Sequence, residues 1–177
     1  MHELIERVLI SEEQIKTRIA QMAKELEAEY KDKNPLFVGL LKGVVVFFAD
    51  MFRAVQIPCE LDFMVVSSYH GTESTGVINV KKDLDADICG RHVVILEDII
   101  DSGRTLSYTV EYLKSRKPAS LKICTLLDKP DRRETDLTAD YVGFTIPNEF
   151  VVGYGLDFNE RFRNLPYVGV LKPEAYS

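Results

Sequence analysis

The sequence predicts an α/β fold in which a central, mainly parallel sheet is flanked by helices. Residues 93–96 are four consecutive apolar residues, three of them β-branched, which is typical of a strand buried on both faces. The spacing then becomes helical, with Leu106, Val110 and Leu113 at i, i+4 and i+7. A strand that leads through a short turn into a helix is the repeating unit of such folds. We therefore interpret residues 93–113 as the strand and helix around which the rest of the fold is organised.

The other elements follow from the same patterns on either side of this unit. A capping box at residues 11–14 predicts the start of a helix that ends near residues 31–35. Within the strand expected at residues 58–67, Leu61, Phe63 and Val65 share one face. The remaining predicted elements are a strand at 36–41, a helix at 44–53, a short strand at 77–81, and strands at 120–127, 141–147 and 165–171.

Length and composition indicate one compact globular domain over residues 1–177. Hydrophobic residues make up 46% of the chain and charged residues 28%, both ordinary values. We see no internal repeat and no interdomain linker. The net charge of −6 argues against general nucleic-acid binding, although it leaves room for a local basic pocket.

Cysteine usage and hydropathy predict a cytoplasmic protein without a membrane segment. Cys59, Cys89 and Cys124 are far apart and form no CxxC motif, so we interpret them as small buried hydrophobic residues. The N-terminus shows no basic segment followed by an apolar run, as a secretory signal would. The longest apolar region, residues 38–52, contains charged residues and is too short to span a bilayer.

The chemistry-bearing motif follows the central strand. Residues 101–105 supply backbone N–H groups, two hydroxyls and a helix N-terminus, which together can hold a phosphate. Glu97 and Asp98 stand at the carboxyl end of the strand, where they could bind ribose hydroxyls or a magnesium ion. This combination points to a phosphorylated ribose. The alternative is an ordinary acidic loop in which Asp101 or Ser102 caps the helix.

Three other segments have a functional and a purely structural interpretation. Lys42 and Gly43 stand at a strand-to-helix junction. They could form an anion-binding loop, or they could be a tight turn with no more than a surface lysine side chain. The polar, glycine-containing residues 67–76 predict a mobile lid, or else a plain hairpin connection. Lys129 follows the strand at 120–127, and the charged residues 131–136 are interpreted as a solvated loop.

Residues 93–105 resemble the signature of the type I phosphoribosyltransferases: four apolar residues, two acidic residues, a spacer and a small-residue loop with hydroxyls. Residues 129–163 are similar to hypoxanthine-guanine phosphoribosyltransferases, notably at 149–154, at 156–160 and at Arg163. The resemblance spans residues 36–171 and favours the bacterial type. It implies the type I fold, with a small hood over the active site built from N-terminal and C-terminal segments. Ser102 and Arg104 replace the threonine and lysine of the commonest mammalian form, but keep the hydroxyl and the charge.

The resemblance also implies roles for individual residues. Those implied for phosphate and ribose are Glu97, Asp98, Asp101, Ser102, Gly103, Arg104 and Thr105. Those implied for pyrophosphate are Lys42, Gly43, Ser68, Tyr69 and Arg163, with a cis peptide often present at the Leu41–Lys42 step. Those implied for the purine are Ile99, Lys129, Phe150, Val151 and Asp157. Glu97, Asp98 and Asp157 would hold Mg²⁺, and Asp101 would handle the proton on purine N7.

The implied activity is purine salvage. The enzyme would transfer 5-phosphoribose from phosphoribosyl pyrophosphate to N9 of hypoxanthine, and also of guanine, with Mg²⁺ as cofactor. A xanthine-preferring relative remains an alternative, as does a non-catalytic, nucleotide-sensing regulator on the same fold. The family forms homodimers and homotetramers, and the helix at residues 44–52 is apolar on more than one face, as at a subunit interface.

Overall fold

The computed structural model describes residues 2–68 and 78–176, which form a large sheet flanked by helices and a second, small sheet. The strands are β1 Ile5–Ile10, β2 Leu36–Leu40, β3 Glu60–Ser68, β4 Ile78–Lys82, β5 His92–Ile100, β6 Ser120–Asp128, β7 Tyr141–Thr145, β8 Val151–Val152 and β9 Val168–Leu171. The helices are α1 Glu12–Tyr30, α2 Val45–Ala54 and α3 Arg104–Lys114, with short 3₁₀ helices at Pro130–Arg132 and Pro173–Ala175.

The large sheet has the strand order β4-β3-β2-β5-β6-β7 in the described part of the chain. All its pairings are parallel except that of β3 with β4. β5 lies between β2 and β6, so the predicted central strand is indeed central. The expected α/β fold with a mainly parallel sheet is confirmed.

The alternation of side chains along β5 explains why its apolar run is continuous. Val94 and Leu96 pack in one hydrophobic cluster with α1 and α2. Val93 and Ile95 pack in the other cluster, with Leu106, Val110 and Leu113 of α3. Successive residues of a strand point to opposite faces, so a strand covered on both faces must be apolar throughout.

Two of the strands differ from their predicted form. β5 continues to Ile100, so Glu97 and Asp98 lie inside the strand rather than after it. In β3, Leu61 is exposed and Met64, on the opposite face, is fully buried. The shared face of Leu61, Phe63 and Val65 is therefore not the fully buried one, because Met64 packs in the cluster around α3.

The small sheet joins the two ends of the described chain. Its order is β1-β9-β8, and both pairings are antiparallel. A separate cluster containing Ile5, Val152, Phe162 and Leu171 packs there. β1 was not predicted from the sequence, because only its end residues are buried and the pairing with β9 is irregular at two places. No helix in the described residues is long and apolar enough to cross a membrane.

Candidate active site

Two adjoining cavities open at the carboxyl ends of β2, β5 and β6. The larger has a volume of about 540 Å³ and the smaller about 290 Å³. Both are lined by Gly43, Asp98, Ile99 and Asp101, so the two spaces share one wall. In open α/β sheets this edge is where ligands bind.

The smaller cavity is bounded by the loop that enters α3. Residues 101–105 line it together with Lys42 and Glu97. Gly103 has φ +80° and stands at the N-cap of α3 without a side-chain cap, so neither Asp101 nor Ser102 is the N-cap residue. A side chain at position 103 would also meet Thr135 Oγ1 at 2.7 Å. The first N–H groups of the helix have no intrahelical acceptor and can bind an anion.

Glu97 and Asp98 place two adjacent carboxyl groups at the base of these cavities. Burial raises the pKa of Glu97 well above its usual range, and the neighbouring Asp98 carboxylate raises it further. Burial likewise raises the pKa of Asp98, although its Oδ1 accepts a hydrogen bond of 2.9 Å from the backbone of Ile99. Two ionised carboxylates in such a position need a cation nearby.

The donor chemistry fits a hard cation such as Mg²⁺. Asp98 and Asp157 both line the larger cavity, whereas Glu97 lines the smaller one. Among the described residues, no group of three or more His, Cys, Asp or Glu side chains could by itself hold a metal ion. An ion here would therefore complete its shell with oxygens of a bound ligand and water, as Mg²⁺ commonly does.

The loop after β2 approaches Asp98 closely. It contains a cis peptide at Leu41–Lys42, and a Cβ atom at Gly43 would lie 1.9 Å from Asp98 Oδ2. The Lys42 ammonium is largely exposed and lies 3.2 Å from Glu160 Oε2. The loop thus presents backbone and one cation to the smaller cavity without filling it.

Arg163 lines the larger cavity together with Gly43 of this loop. Its Nη2 is 3.0 Å from Asp157 Oδ1, and its Nη1 donates to the carbonyl of Gly155 at 2.7 Å. Its Nε is buried and has no hydrogen-bond partner among the described residues. The guanidinium has more N–H groups than these contacts use and its side chain is 25% exposed, so it retains donor capacity toward an anion in the cavity.

The wall of the larger cavity combines apolar surface with one buried cation. Ile99, Phe150 and Val151 supply the apolar part. Lys129 is only 6% exposed, and its ammonium donates to the carbonyl of Glu149 at 2.9 Å. A flat, apolar ligand with an acceptor oxygen at one edge fits this wall.

Asp101 lies at the junction of the two cavities. Its Oδ2 is 3.8 Å from Lys129 Nζ, and its Oδ1 is 3.3 Å from Arg132 Nε. The geometry at Oδ1 is not that of a hydrogen bond: this buried atom has no hydrogen-bond partner among the described residues. The side chain as a whole is 42% exposed, so the carboxylate stays accessible to a ligand.

Sequence reasoning missed several contributors to the site. Residues 131–136 were interpreted as a solvated loop, and most of them are exposed, but Arg133 and Thr135 pack beside Gly103. Arg133 is largely buried, pairs with Asp128 and donates to the Asp101 carbonyl at 3.2 Å. Arg132 and Tyr176 line the larger cavity. Neither had a sequence signal beyond its residue type.

Part of the implied pyrophosphate site lies outside the described residues. Tyr69 falls there, as does the segment expected to form a lid, except for the end of β3. The backbone of Ser68 ends β3 and pairs with Ile78, but the side chain of Ser68 is outside the described part of the chain. The roles implied for Ser68 and Tyr69 stay predictions.

Comparisons with known proteins point in one direction. Residues 10–159 match the sequence profile of the phosphoribosyl transferase domain family. The chain is 54% identical to a hypoxanthine-guanine phosphoribosyltransferase of Bacillus subtilis, over 97% of this chain and 96% of that protein. It is 49% identical to a crystal structure of a Staphylococcus aureus hypoxanthine phosphoribosyltransferase, which covers 100% of this chain and 97% of that chain with a TM-score of 0.97.

A longer relative shows the same similarity. The chain is 56% identical over 178 residues to the bifunctional protein TilS/HprT of Listeria monocytogenes. The match covers 100% of this chain but 28% of that protein.

The close approach of Gly43 to Asp98 can be tested by substitution. In Gly43→Ala, the added methyl group must displace the Asp98 carboxyl group or the loop. We expect the free energy of unfolding in urea to fall by about 1–3 kcal/mol. Asp98→Ala removes the oxygen that clashes, so the double variant should lose less stability than the sum of the two single losses. If the stability losses of the two single variants add up to that of the double variant, the close contact between Gly43 and Asp98 is not present.

Proposed function

This chain belongs to the hypoxanthine-guanine phosphoribosyltransferases of the phosphoribosyl transferase domain family, which are transferases of purine salvage, and we propose the details of its reaction. The enzyme transfers 5-phosphoribose from phosphoribosyl pyrophosphate to N9 of hypoxanthine and guanine. IMP or GMP forms and pyrophosphate leaves. The observation that carries the proposal is the pair of cavities that meet at Asp101, one suited to a phosphate and the other to a flat base.

In this proposal the smaller cavity holds the phosphorylated ribose. The 5-phosphate accepts hydrogen bonds from the backbone and hydroxyls of residues 101–105. Arg104 adds a positive charge at the mouth, where it pairs with Glu134. The ribose then lies toward Glu97 and Asp98, whose carboxylates suit hydroxyl groups and a cation that bridges to them.

The larger cavity holds the purine. Phe150 and Ile99 contact the two faces of the base, and the backbone at Val151 meets its edge. Lys129 donates to O6 of the base. Adenine has an amino group at that position, which cannot accept from an ammonium, so a buried lysine disfavours adenine. A 2-oxo group is not discriminated by Lys129, and a preference for xanthine therefore remains an alternative to be assayed.

Asp101 is the proposed group that holds the N7 proton while the glycosidic bond forms at N9. The sugar passes through a state that resembles an oxocarbenium ion, as in glycoside chemistry. The contribution of the protein is then orientation and electrostatic stabilisation. The partly exposed carboxylate of Asp101 and its position in the wall of both cavities support this role.

Mg²⁺ is the proposed cofactor. Glu97 and Asp98 would hold one ion at the ribose side, and Asp157 a second at the pyrophosphate side, with substrate oxygens completing each shell. When bound, the ions neutralise charge on the leaving pyrophosphate. Lys42, the Gly43 backbone and Arg163 bind pyrophosphate oxygens, together with Ser68 and Tyr69, whose contribution rests on the resemblance alone.

A homodimer or homotetramer is the proposed assembly, and the cytoplasm the proposed location. On α2, Val45 is 47% exposed while Phe47, Phe48 and Met51 are buried, so the helix also presents apolar surface to solvent. The three cysteines are free, as is usual in a reducing compartment.

The reaction and its base preference can be tested in one assay. The protein is mixed with Mg²⁺, phosphoribosyl pyrophosphate and one of four bases: hypoxanthine, guanine, xanthine or adenine. We expect nucleotide with hypoxanthine and guanine and none with adenine, because Lys129 requires an acceptor at position 6. Excess EDTA should abolish turnover.

Other results of this assay would favour the alternatives. Faster turnover of xanthine than of the other bases would favour the xanthine-preferring enzyme. No product with any base, despite Mg²⁺-dependent binding of phosphoribosyl pyrophosphate, would favour the regulator.

The role of Asp101 predicts a specific kinetic defect. Asp101→Asn keeps the shape of the side chain but cannot hold the N7 proton. We expect kcat to fall about 100-fold or more, with a much smaller change in KM for hypoxanthine. Asp131→Asn, an exposed carboxylate in the neighbouring 3₁₀ helix, is the matched control and should retain activity. Unchanged turnover in Asp101→Asn would remove Asp101 from the mechanism.

The assembly can be measured by sedimentation velocity. We expect the wild type to sediment as a dimer or tetramer. Val45→Glu should shift it toward monomer, because a charge would be buried in an apolar interface. Lys24→Glu, on an exposed position of α1, serves as the control. A monomeric wild type at micromolar concentration would contradict the proposal.

A further inference from the structure

Three aromatic rings meet at the rim of the larger cavity. The rings of Phe150 and Tyr176 are stacked, with centroids 4.9 Å apart and planes inclined by 22°. Phe158 meets Phe150 edge-on at 5.6 Å and Tyr176 at 6.4 Å. The proposed base-stacking residue is therefore itself packed against another ring.

The remaining exposure of Phe150 indicates which of its faces is free. Phe150 is still 39% exposed, although Tyr176 covers one face of its ring and Phe158 contacts it edge-on. Because Phe150 lines the larger cavity, we assign that exposed area to the face opposite Tyr176. Since Phe150 and Ile99 line the same cavity, the free face is available for a base lying between them.

The position of Tyr176 is set by the C-terminal end of the fold. After β9, the backbone N–H of Lys172 donates to the Leu4 carbonyl at 3.0 Å, and residues 173–175 form a 3₁₀ helix. The N–H of Tyr176 closes this turn on the Pro173 carbonyl at 3.2 Å. No described residue forms a hydrogen bond with the Tyr176 hydroxyl, so the ring itself makes the contact.

We propose that Tyr176 is a positioning residue for the purine base, which acts by fixing the ring plane of Phe150 from the side opposite the base. This inference rests on the proposed function. With a base bound, the order across the cavity is Ile99, purine, Phe150 and Tyr176. Without Tyr176, the Phe150 ring gains rotational freedom, which it must lose again when the base binds.

The test compares the two substrates in steady-state kinetics. Aromatic stacking is worth about 0.5–1.5 kcal/mol, so we expect Tyr176→Ala to raise KM for hypoxanthine roughly three- to tenfold. KM for phosphoribosyl pyrophosphate and kcat should change less than twofold. Tyr176→Phe should restore the wild-type KM, because the hydroxyl is not needed. Tyr108→Ala, an equally exposed tyrosine on α3, is the matched control.

A second variant that ends at residue 175 tests the same contact without a substituted side chain, and its KM for hypoxanthine should rise like that of Tyr176→Ala. The inference is wrong if Tyr176→Ala leaves KM for hypoxanthine unchanged, lowers it, or raises both KM values together. It is also wrong if Tyr176→Phe behaves like Tyr176→Ala. A wild type that is inactive with every base overturns the proposed function and this inference together. An active wild type with an unaffected Tyr176→Ala overturns this inference alone.

Discussion

Three segments of the chain meet at one point of the site, and two of them have glycine there because a side chain would not fit. The Gly43 backbone lies against the Asp98 carboxyl group, and a Cβ atom at Gly155 would lie 2.0 Å from the carbonyl oxygen of Gly43. This contact connects the central strand, the loop after β2 and the turn that follows β8. Both cavities are bounded by it, since Gly43 and Asp98 line each of them. The relative position of the two cavities therefore depends on backbone packing rather than on flexible side chains.

The electrostatics of the site follow from its place in the sheet. Because β5 is the central strand, Glu97 and Asp98 are largely removed from water, and burial raises both pKa values. A raised pKa means that the folded state binds the proton more tightly than the unfolded chain. The contribution of Glu97 and Asp98 to the free energy of unfolding is therefore fully present below the ordinary carboxyl pKa. It is lost as the pH rises through the raised pKa of the folded state. A divalent cation bound at the two carboxylates would lower both pKa values, and its binding would then also stabilise the fold.

The sequence was most informative where one short stretch carried the pattern. The apolar run of residues 93–96 and the helical spacing after it predicted β5 and α3, and the capping box predicted the start of α1. The elements that were missed depend on partners far away in the chain. β1 has an irregular pattern because it is an edge strand of the described small sheet, and its register with β9 shifts at two places. Arg133 looks like a surface cation until Asp128 and the Asp101 carbonyl are placed beside it. Tyr176 shows no pattern at all until its ring stacks on Phe150.

The small sheet has a consequence for the order in which the protein acquires its structure. Ile5 pairs with Leu171, so nearly the whole chain must be present before the first strand finds its partner. Closing so long a loop is entropically costly and slow relative to local contacts. The ribosome makes the chain from the N-terminus, so most of the large sheet can assemble before β1 has a strand to pair with. The side of the larger cavity at Val151, which pairs with β9, thus forms among the last parts of the molecule, and a nascent chain has the loop of the smaller cavity before the larger cavity is complete.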